Sequence, residues 1–267
     1  MSEPTQWPSL RRNLIDYGRL LHAISFESQL LLHTAEETDE RFPVPGCPGL
    51  TVGETVRHTA SGYRRVLEWI RAGEPPDDWQ RTPAPDESLA DYHLASRTAL
   101  VAELAAHDPD EPCDTWWPAD QTYGFWRRRM AHETAVHRVD VQGAAGADVV
   151  PVQIEFAVDG IDEVLLLWFG HKLYQDKRAA MVDGAVGVQA AGRSWLAVLG
   201  RNRCSARRVP AVDAEAADVL VTGEPMNVYL WLWGRVPNHL VNITGDYDAS
   251  AQLWALLRVA TQRSGGP

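Results

Sequence analysis

The chain has 267 residues, 45% hydrophobic and 23% charged, which is the balance of a globular protein with one large or two small domains. Its formal net charge of −11 argues against non-specific nucleic-acid binding, which needs clustered Lys and Arg to displace counterions, and against anionic membrane surfaces. Three Cys (Cys47, Cys113, Cys204) make no disulfide framework, and neither a signal pattern nor an apolar run of membrane-spanning length is evident, so a cytoplasmic protein with reduced thiols is expected.

In chain order, the first element is a helix over residues 14 to 38. Leu14, Tyr17, Leu21, Ile24, Ser28, Leu31 and Ala35 recur at steps of three and four, the seam of a bundle helix. A Pro/Gly-punctuated loop, 41 to 50, follows. Thr51-Val52-Gly53-Glu54 fits a capping box and starts a second helix that runs to about Ala72. His58 sits in its second turn, on the flank of the apolar face; taken alone it reads as a partly exposed histidine. Residues 87 to 106 form a third helix, with Leu89, Tyr92, Ala95, Ala99 and Leu104 inward.

The fourth helix, 122 to 144, is the focus of the chain. No Gly or Pro interrupts it from Phe125 to Gln142. Its inward stripe is Trp126, Met130, Glu133, His137 and Val141, so two polar residues fall on the apolar side. Four residues advance a helix by about one turn, so Glu133 and His137 project from nearly one line and together can bind one divalent metal. An ionised carboxylate there needs the histidine, an Arg or a metal. A buried Glu–His hydrogen bond without metal fits the spacing equally well. His132 is five residues from His137 and off that line, so the string is not the H-E-x-x-H zinc signature.

Gly143 to Asp148 and Pro151 break the pattern, which divides the chain into residues 1–148 and 149–267. Residues 154 to 170 read as an amphipathic helix over a second core. Short strands are expected at 185 to 191, 195 to 199, 205 to 210, 219 to 222 and 239 to 244. Met226 to Trp233 is too apolar to assign by period, although Glu224-Pro225 fits a helix start. A closing helix spans 249 to 263, and the tail 264 to 267 looks irregular. The second part is therefore α+β, with a small mixed or antiparallel sheet.

Three segments, in this order, resemble one family. They are Cys47-Pro48-Gly49-Leu50-Thr51-Val52 followed by His58, then His132-Glu133-Thr134-Ala135-Val136-His137-Arg138-Val139-Asp140, then Ala217 to Gly223 with Tyr229 to Arg235. The family is that of the mycothiol-dependent maleylpyruvate isomerases; Leu50 stands where the family usually has Trp. The resemblance implies a DinB-like four-helix bundle followed by a small sterol-carrier-like α/β domain. It also implies that His58, Glu133 and His137 ligate a metal, with zinc or another divalent ion expected, and that mycothiol is the thiol cosubstrate. Two His and one Glu with an open position make a catalytic rather than structural zinc site. The metal-held thiolate would add to an electrophilic carbon of a small substrate; the thiol then leaves in an isomerase and stays in an S-transferase.

Other residues have two readings each. Arg235 follows the apolar run and either pairs with a substrate or cofactor carboxylate, as a catalytic residue, or is a surface Arg at a helix end. His132 and Arg138 are expected in interhelical or outer polar contacts, with Asp140 as an Arg partner. Cys47 either approaches the site or is simply packed. The loops 73 to 86 and 107 to 121, with Trp79, Trp116 and Trp117, are expected to shape specificity. Two further functions compete with the thiol enzyme. One is a non-catalytic binding protein for a thiol conjugate or apolar ligand, with Tyr229, Trp231 and Trp233 lining the pocket. The other is a hydrolase using zinc-bound water, which needs a general base that the motif does not supply.

Overall fold

The structure, a computed structural model, describes residues 13–262. Helix α1 (Tyr17–Glu36) begins where the Asp16 carboxylate accepts from the amides of Gly18 and Arg19, donors that a first turn leaves unpaired. Helix α2 (Val52–Ala72) carries the expected capping box, with Thr51 and Glu54 each accepting from the other's amide. It ends at Gly73, whose φ of 76° suits a left-handed cap, with its amide donating to the Trp69 carbonyl. Ser88 caps helix α3 (Leu89–Ala105), and α4 (Tyr123–Ala144) completes the bundle. Helix α4 packs mainly along α1, and α2 along α3.

Helix α4 is buried on its charged face as well as on its apolar stripe. Arg127, Arg128, Arg129, His132, Arg138 and Asp140 are all buried. The cause is α5 (Ile154–Glu163), which lies over that face and answers its charges. Arg128 pairs with Asp159 at 2.9 Å and Asp162 at 3.0 Å, and His132 Nε2 lies 3.0 Å from Asp159. Arg129 pairs with Glu163. Buried charges persist only where they are opposed and hydrogen-bonded in this way.

Helix α5 continues unbroken into a π-helical stretch, Val164–Lys172, and a last turn, Leu173–Gln175. π-Helices usually appear as single-turn bulges, often near functional sites. Here the wide turns hold the apolar run in the core while Trp168 and Lys172 line a cavity beside α2 and α4.

The sheet, among the described residues, has the order β3-β2-β1-β4-β5. Its strands are β1 (Gly184–Ala190), β2 (Arg193–Leu199), β3 (Ser205–Arg208), β4 (Val219–Thr222) and β5 (Asn242–Gly245). Strands β1 and β4 are parallel and the other neighbours antiparallel, so the sheet is mixed. The β1–β2 hairpin turns through Ala191 and Gly192, both at positive φ (47° and 72°), the two-residue turn whose twist matches paired strands. A short helix α6 (Ala211–Glu215) precedes β4 and was not expected. The ambiguous run becomes helix α7 (Pro225–Leu232), with Pro225 in its first turn. The strand expected at 239 to 244 opens instead as a 3₁₀ turn, Asn238–Leu240, and only β5 is paired. Helix α8 (Tyr247–Gln262) closes the fold, and the tail 264 to 267 lies outside the described residues.

One apolar core runs from Leu20 and Ile24 of α1 through Phe156 and Trp195 to Leu253 and Leu257 of α8. Tyr229, Trp231 and Trp233 belong to it and are buried, so they do not line a ligand pocket as the binding-protein reading requires. Helix α7 packs on α5 at Gly160, where a side chain would occupy the space of the Tyr229 ring. Among the described residues no helix is long and apolar enough to cross a membrane.

Candidate metal centre

Helices α2 and α4 bring His58, Glu133 and His137 together, one donor atom from each lying within 4.8 Å of the others. The Glu133 Oε1 atom lies 3.1 Å from His137 Nε2 and 3.4 Å from His58 Nε2. Zinc–ligand bonds of about 2.0–2.1 Å in a tetrahedron put donor atoms about 3.3 Å apart, close to both of these spacings. The donor set, two imidazoles and a carboxylate, is also one that zinc accepts while keeping a fourth position open.

Each donor is held from behind. His137 Nδ1 lies 3.2 Å from Asp140 Oδ2, one turn further along α4. His58 Nδ1 lies 2.8 Å from the side-chain amide of Gln80, and its ring packs edge-on against Trp79. The Gln80 nitrogen faces the ring while its oxygen accepts from Arg57 at 3.3 Å; a His58 that binds metal through Nε2 keeps its proton on Nδ1, so metal binding requires the Gln80 amide to turn its oxygen to the ring. Arg129 donates to the second oxygen of Glu133 and to Glu163, and so joins the centre to α5. Sequence spacing could have revealed two of these partners: Asp140 is three residues from His137, and Arg129 four from Glu133. Gln80 lies in an irregular loop and gives no such signal.

Arg235 is neither at the surface nor free. Its side chain is 8% exposed. Its Nε and one terminal nitrogen donate to Asp140 at 2.9 and 2.8 Å, and the other terminal nitrogen donates to the Trp233 carbonyl at 2.7 Å. It also donates to Cys47 Sγ at 3.0 Å, while the Cys47 thiol donates to Asp140 at 3.3 Å. Cys47, His137 and Asp140 form a second group within ligating distance, but the Arg235 cation occupies it. Gly46 completes this corner, because a side chain there would collide with Asp140 Oδ1. Asp140 therefore pairs with Arg235; Arg138 pairs instead with Glu27 at 2.7 Å. His132 spans α5 and α7 through Asp159 and the Tyr229 hydroxyl, at 3.0 and 3.2 Å.

The charges polarise one another. Burial alone would raise the Glu133 pKa, but the Arg129 guanidinium and His137 outweigh it and hold the carboxylate well below its usual range. Burial would likewise lower His137, yet Glu133 and Asp140 carry it well above the ordinary value. His58 is lowered, chiefly by burial. Asp140 is driven down against burial by Arg235 and by the His137 contact.

A cavity of about 310 Å³ opens beside the donors and is lined by His58 and Glu133. Of the loop tryptophans, Trp79 and Trp116 line it, and Trp117 lines a separate cavity beside β3.

Residues 21–142 match the family described as the mycothiol maleylpyruvate isomerase N-terminal domain. This N-terminal helical segment is similar to that family's domain. The matched segment contains His58, Glu133 and His137, and Arg235 lies outside it. The whole fold is similar to a crystal structure of the mycothiol-dependent maleylpyruvate isomerase, with a TM-score of 0.57 at 13% identity, covering 87% of this chain and 95% of that one. A histidine-to-alanine mutant of that isomerase gives a TM-score of 0.58 at 14% identity, with the same coverage. At these identities the likeness concerns the fold. No curated protein matches the chain.

Proposed function

We propose that the chain is a zinc- or other divalent-metal-dependent enzyme that uses a low-molecular-weight thiol, mycothiol, on a small electrophilic substrate, as a cis-trans isomerase or thiol S-transferase. The observation that carries this reading is the convergence of His58, Glu133 and His137, with donor atoms within 4.8 Å of one another and His58 and Glu133 facing a cavity. The solved neighbours with the same fold, described as mycothiol-dependent maleylpyruvate isomerases, supply the thiol and the reaction class. A metal bound there would favour the thiolate of a thiol in its open position.

The protein's residues have separable roles in this reading. His58 and His137 present Nε2, and Gln80 and Asp140 fix their rings. Glu133 offers one oxygen, because Arg129 occupies the other; that keeps it a one-oxygen ligand and leaves space for the thiol. The aromatic cavity wall excludes water from the reacting atoms. Arg235 acts through Asp140 on His137 as a positioning residue, since its donors are already taken. The hydrolase alternative lacks a base, because Glu133 is the sole carboxylate among the residues lining the cavity.

The test is metal content and thiol dependence. Purified protein is expected to carry close to one metal per chain, and His58→Ala, Glu133→Ala and His137→Ala to lose most of it while keeping the helical circular-dichroism spectrum. Turnover of an activated electrophile should require mycothiol. Folded variants with full metal and full thiol-dependent turnover would overturn the assignment. Turnover without thiol would favour the hydrolase, and retained ligand without turnover the binding protein.

A further inference from the structure

We propose that Arg65 is the anion-recognising residue of the cavity beside the metal centre, and that the substrate bound there is an aromatic carboxylate. The inference rests on the proposed function only in treating the cavity as the substrate site. Five tryptophans line that cavity: Trp69, Trp79, Trp116, Trp126 and Trp168. Faces and edges of indole favour a flat ring in offset or edge-on contact over a flexible aliphatic chain. The volume is at the small end of ligand sites, which run roughly 300–1,000 Å³, and suits one or two fused rings.

Charge then decides what else the ligand carries. Three cations reach the cavity: Arg65, Arg129 and Lys172. Arg129 is taken by Glu133 and Glu163, and Lys172 pairs with Asp176 at 3.1 Å. Arg65 has no carboxylate partner among the described residues. Its Nε is buried without a hydrogen-bond acceptor. Its guanidinium lies over the Trp79 ring at 4.9 Å and the Trp69 ring at 5.8 Å. Stacking of that kind covers the faces of the planar group and leaves its N–H edge for a partner. Burial lowers the Arg65 pKa, with the field of Glu133 opposing it, so the cation is held at a cost that an anion would relieve. The two nearby oxygens of Glu133 are already engaged by Arg129, His58 and His137. A carboxylate on the ligand supplies the missing acceptor in bidentate geometry. A cationic ligand would be repelled, and a neutral one would leave the charge of Arg65 unopposed.

The experiment is calorimetric binding of 2-naphthoate and 2-naphthamide, which differ at the charged group alone. It uses the protein as purified and after chelator treatment, so that neither metal nor thiol is needed for the readout. Wild type is expected to bind 2-naphthoate at least tenfold more tightly than the amide in both forms. Arg65→Met should remove that preference and change amide binding less than twofold, while Arg65→Lys should retain part of it. Circular dichroism checks each fold, and Arg65→Gln serves if the Met variant does not fold. Equal binding of the two probes, or a preference that survives loss of Arg65, overturns the proposal. So does a preference that disappears with the metal, because the metal is then the anion receptor. Failure of the metal-centre reading would show separately, as absence of metal from the purified protein with the naphthoate preference intact.

Discussion

Asp140→Asn should cripple the centre without touching a residue that faces the cavity. Asp140 Oδ1 accepts from Arg235 Nε, and Oδ2 accepts from a second Arg235 nitrogen and from Cys47 while facing His137. An amide has one oxygen and one NH₂, so either orientation sets a donor against Arg235. The Asp140 side chain is fully buried and that of Arg235 is 8% exposed, so the cation is left in the interior with half its acceptor gone. Breaking a buried pair from one side costs about 3–5 kcal/mol. At about 2–4 °C per kcal/mol for a chain of this size, Tm should fall by roughly 6–20 °C. The His137 ring also loses its anionic support, and loss of such an outer partner typically lowers metal affinity about 10–100-fold. Scanning calorimetry with chelator present measures the first effect, and zinc competition titration the second. Asp140→Asn/Arg235→Met should recover Tm relative to the single variant, because the orphaned charge is gone, but should not recover metal affinity. Unchanged Tm and unchanged zinc affinity in Asp140→Asn would refute the coupling of Asp140 to both Arg235 and His137.

Gly46→Ala tests the same corner without altering charge. The new methyl group collides with Asp140 Oδ1, so zinc affinity should fall while Tm falls less than in Asp140→Asn, both by the same measurements. Thr51→Ala removes half of the capping box of α2 and should cost about 1 kcal/mol, read as a small drop in Tm. His93 is buried, and burial, with Arg97, pushes its pKa down to about 3, so it stays neutral in the folded protein. The unfolded chain protonates near 6.5, so it binds more protons than the native state between those values. Stability is therefore full above pH 6.5 and declines as pH falls toward 3, at up to about 1.4 kcal/mol per pH unit from this group. His93→Leu should flatten the Tm difference between pH 7.5 and pH 4.5; an unaltered difference would remove His93 from the acid response.

The helical elements were legible because their signals are local. The period of α1, the capping box of α2 and the uninterrupted run of α4 each concern neighbours along one chain segment, and tertiary packing agrees with them. What the sequence hid is what two distant segments do together. The charges of α4 have no visible partners until α5 is laid over them with Asp159, Asp162 and Glu163. The run from Met226 to Trp233 could not be assigned by period, and its aromatics line a pocket only in the binding-protein reading; burial against α5 at Gly160 is invisible in its composition. The proximity of Glu133 and His137 follows from helical spacing, while the nearness of His58 depends on how α2 crosses α4, which spacing within α2 does not specify. Arg235 and Cys47 are 188 residues apart, and nothing in either neighbourhood predicts that both would converge on Asp140.

The arrangement explains why a centre formed by two helices of the bundle should come with a second, unlike part of the chain. A Glu and two His brought together without metal would repel solvent poorly and drift, because each ring and the carboxylate can rotate. Glu133 and His137 are instead anchored by groups whose own anchors lie outside the pair α2 and α4, and His58 by a residue of the loop that follows α2. Glu133 is fixed by Arg129, and Arg129 by Glu163 of α5 and by the faces of Trp168 and Trp233. His137 is fixed by Asp140, and Asp140 by Arg235 just beyond α7. His58 is fixed by Gln80 from the loop that also places Trp79 in the cavity wall. Precision at a metal site comes from such backing more than from the ligands themselves. Trp195 and Arg208 of the sheet donate to Asp162 of α5, and Arg258 of α8 to the Leu232 carbonyl of α7, so the C-terminal part supports the candidate centre without lending it a donor atom.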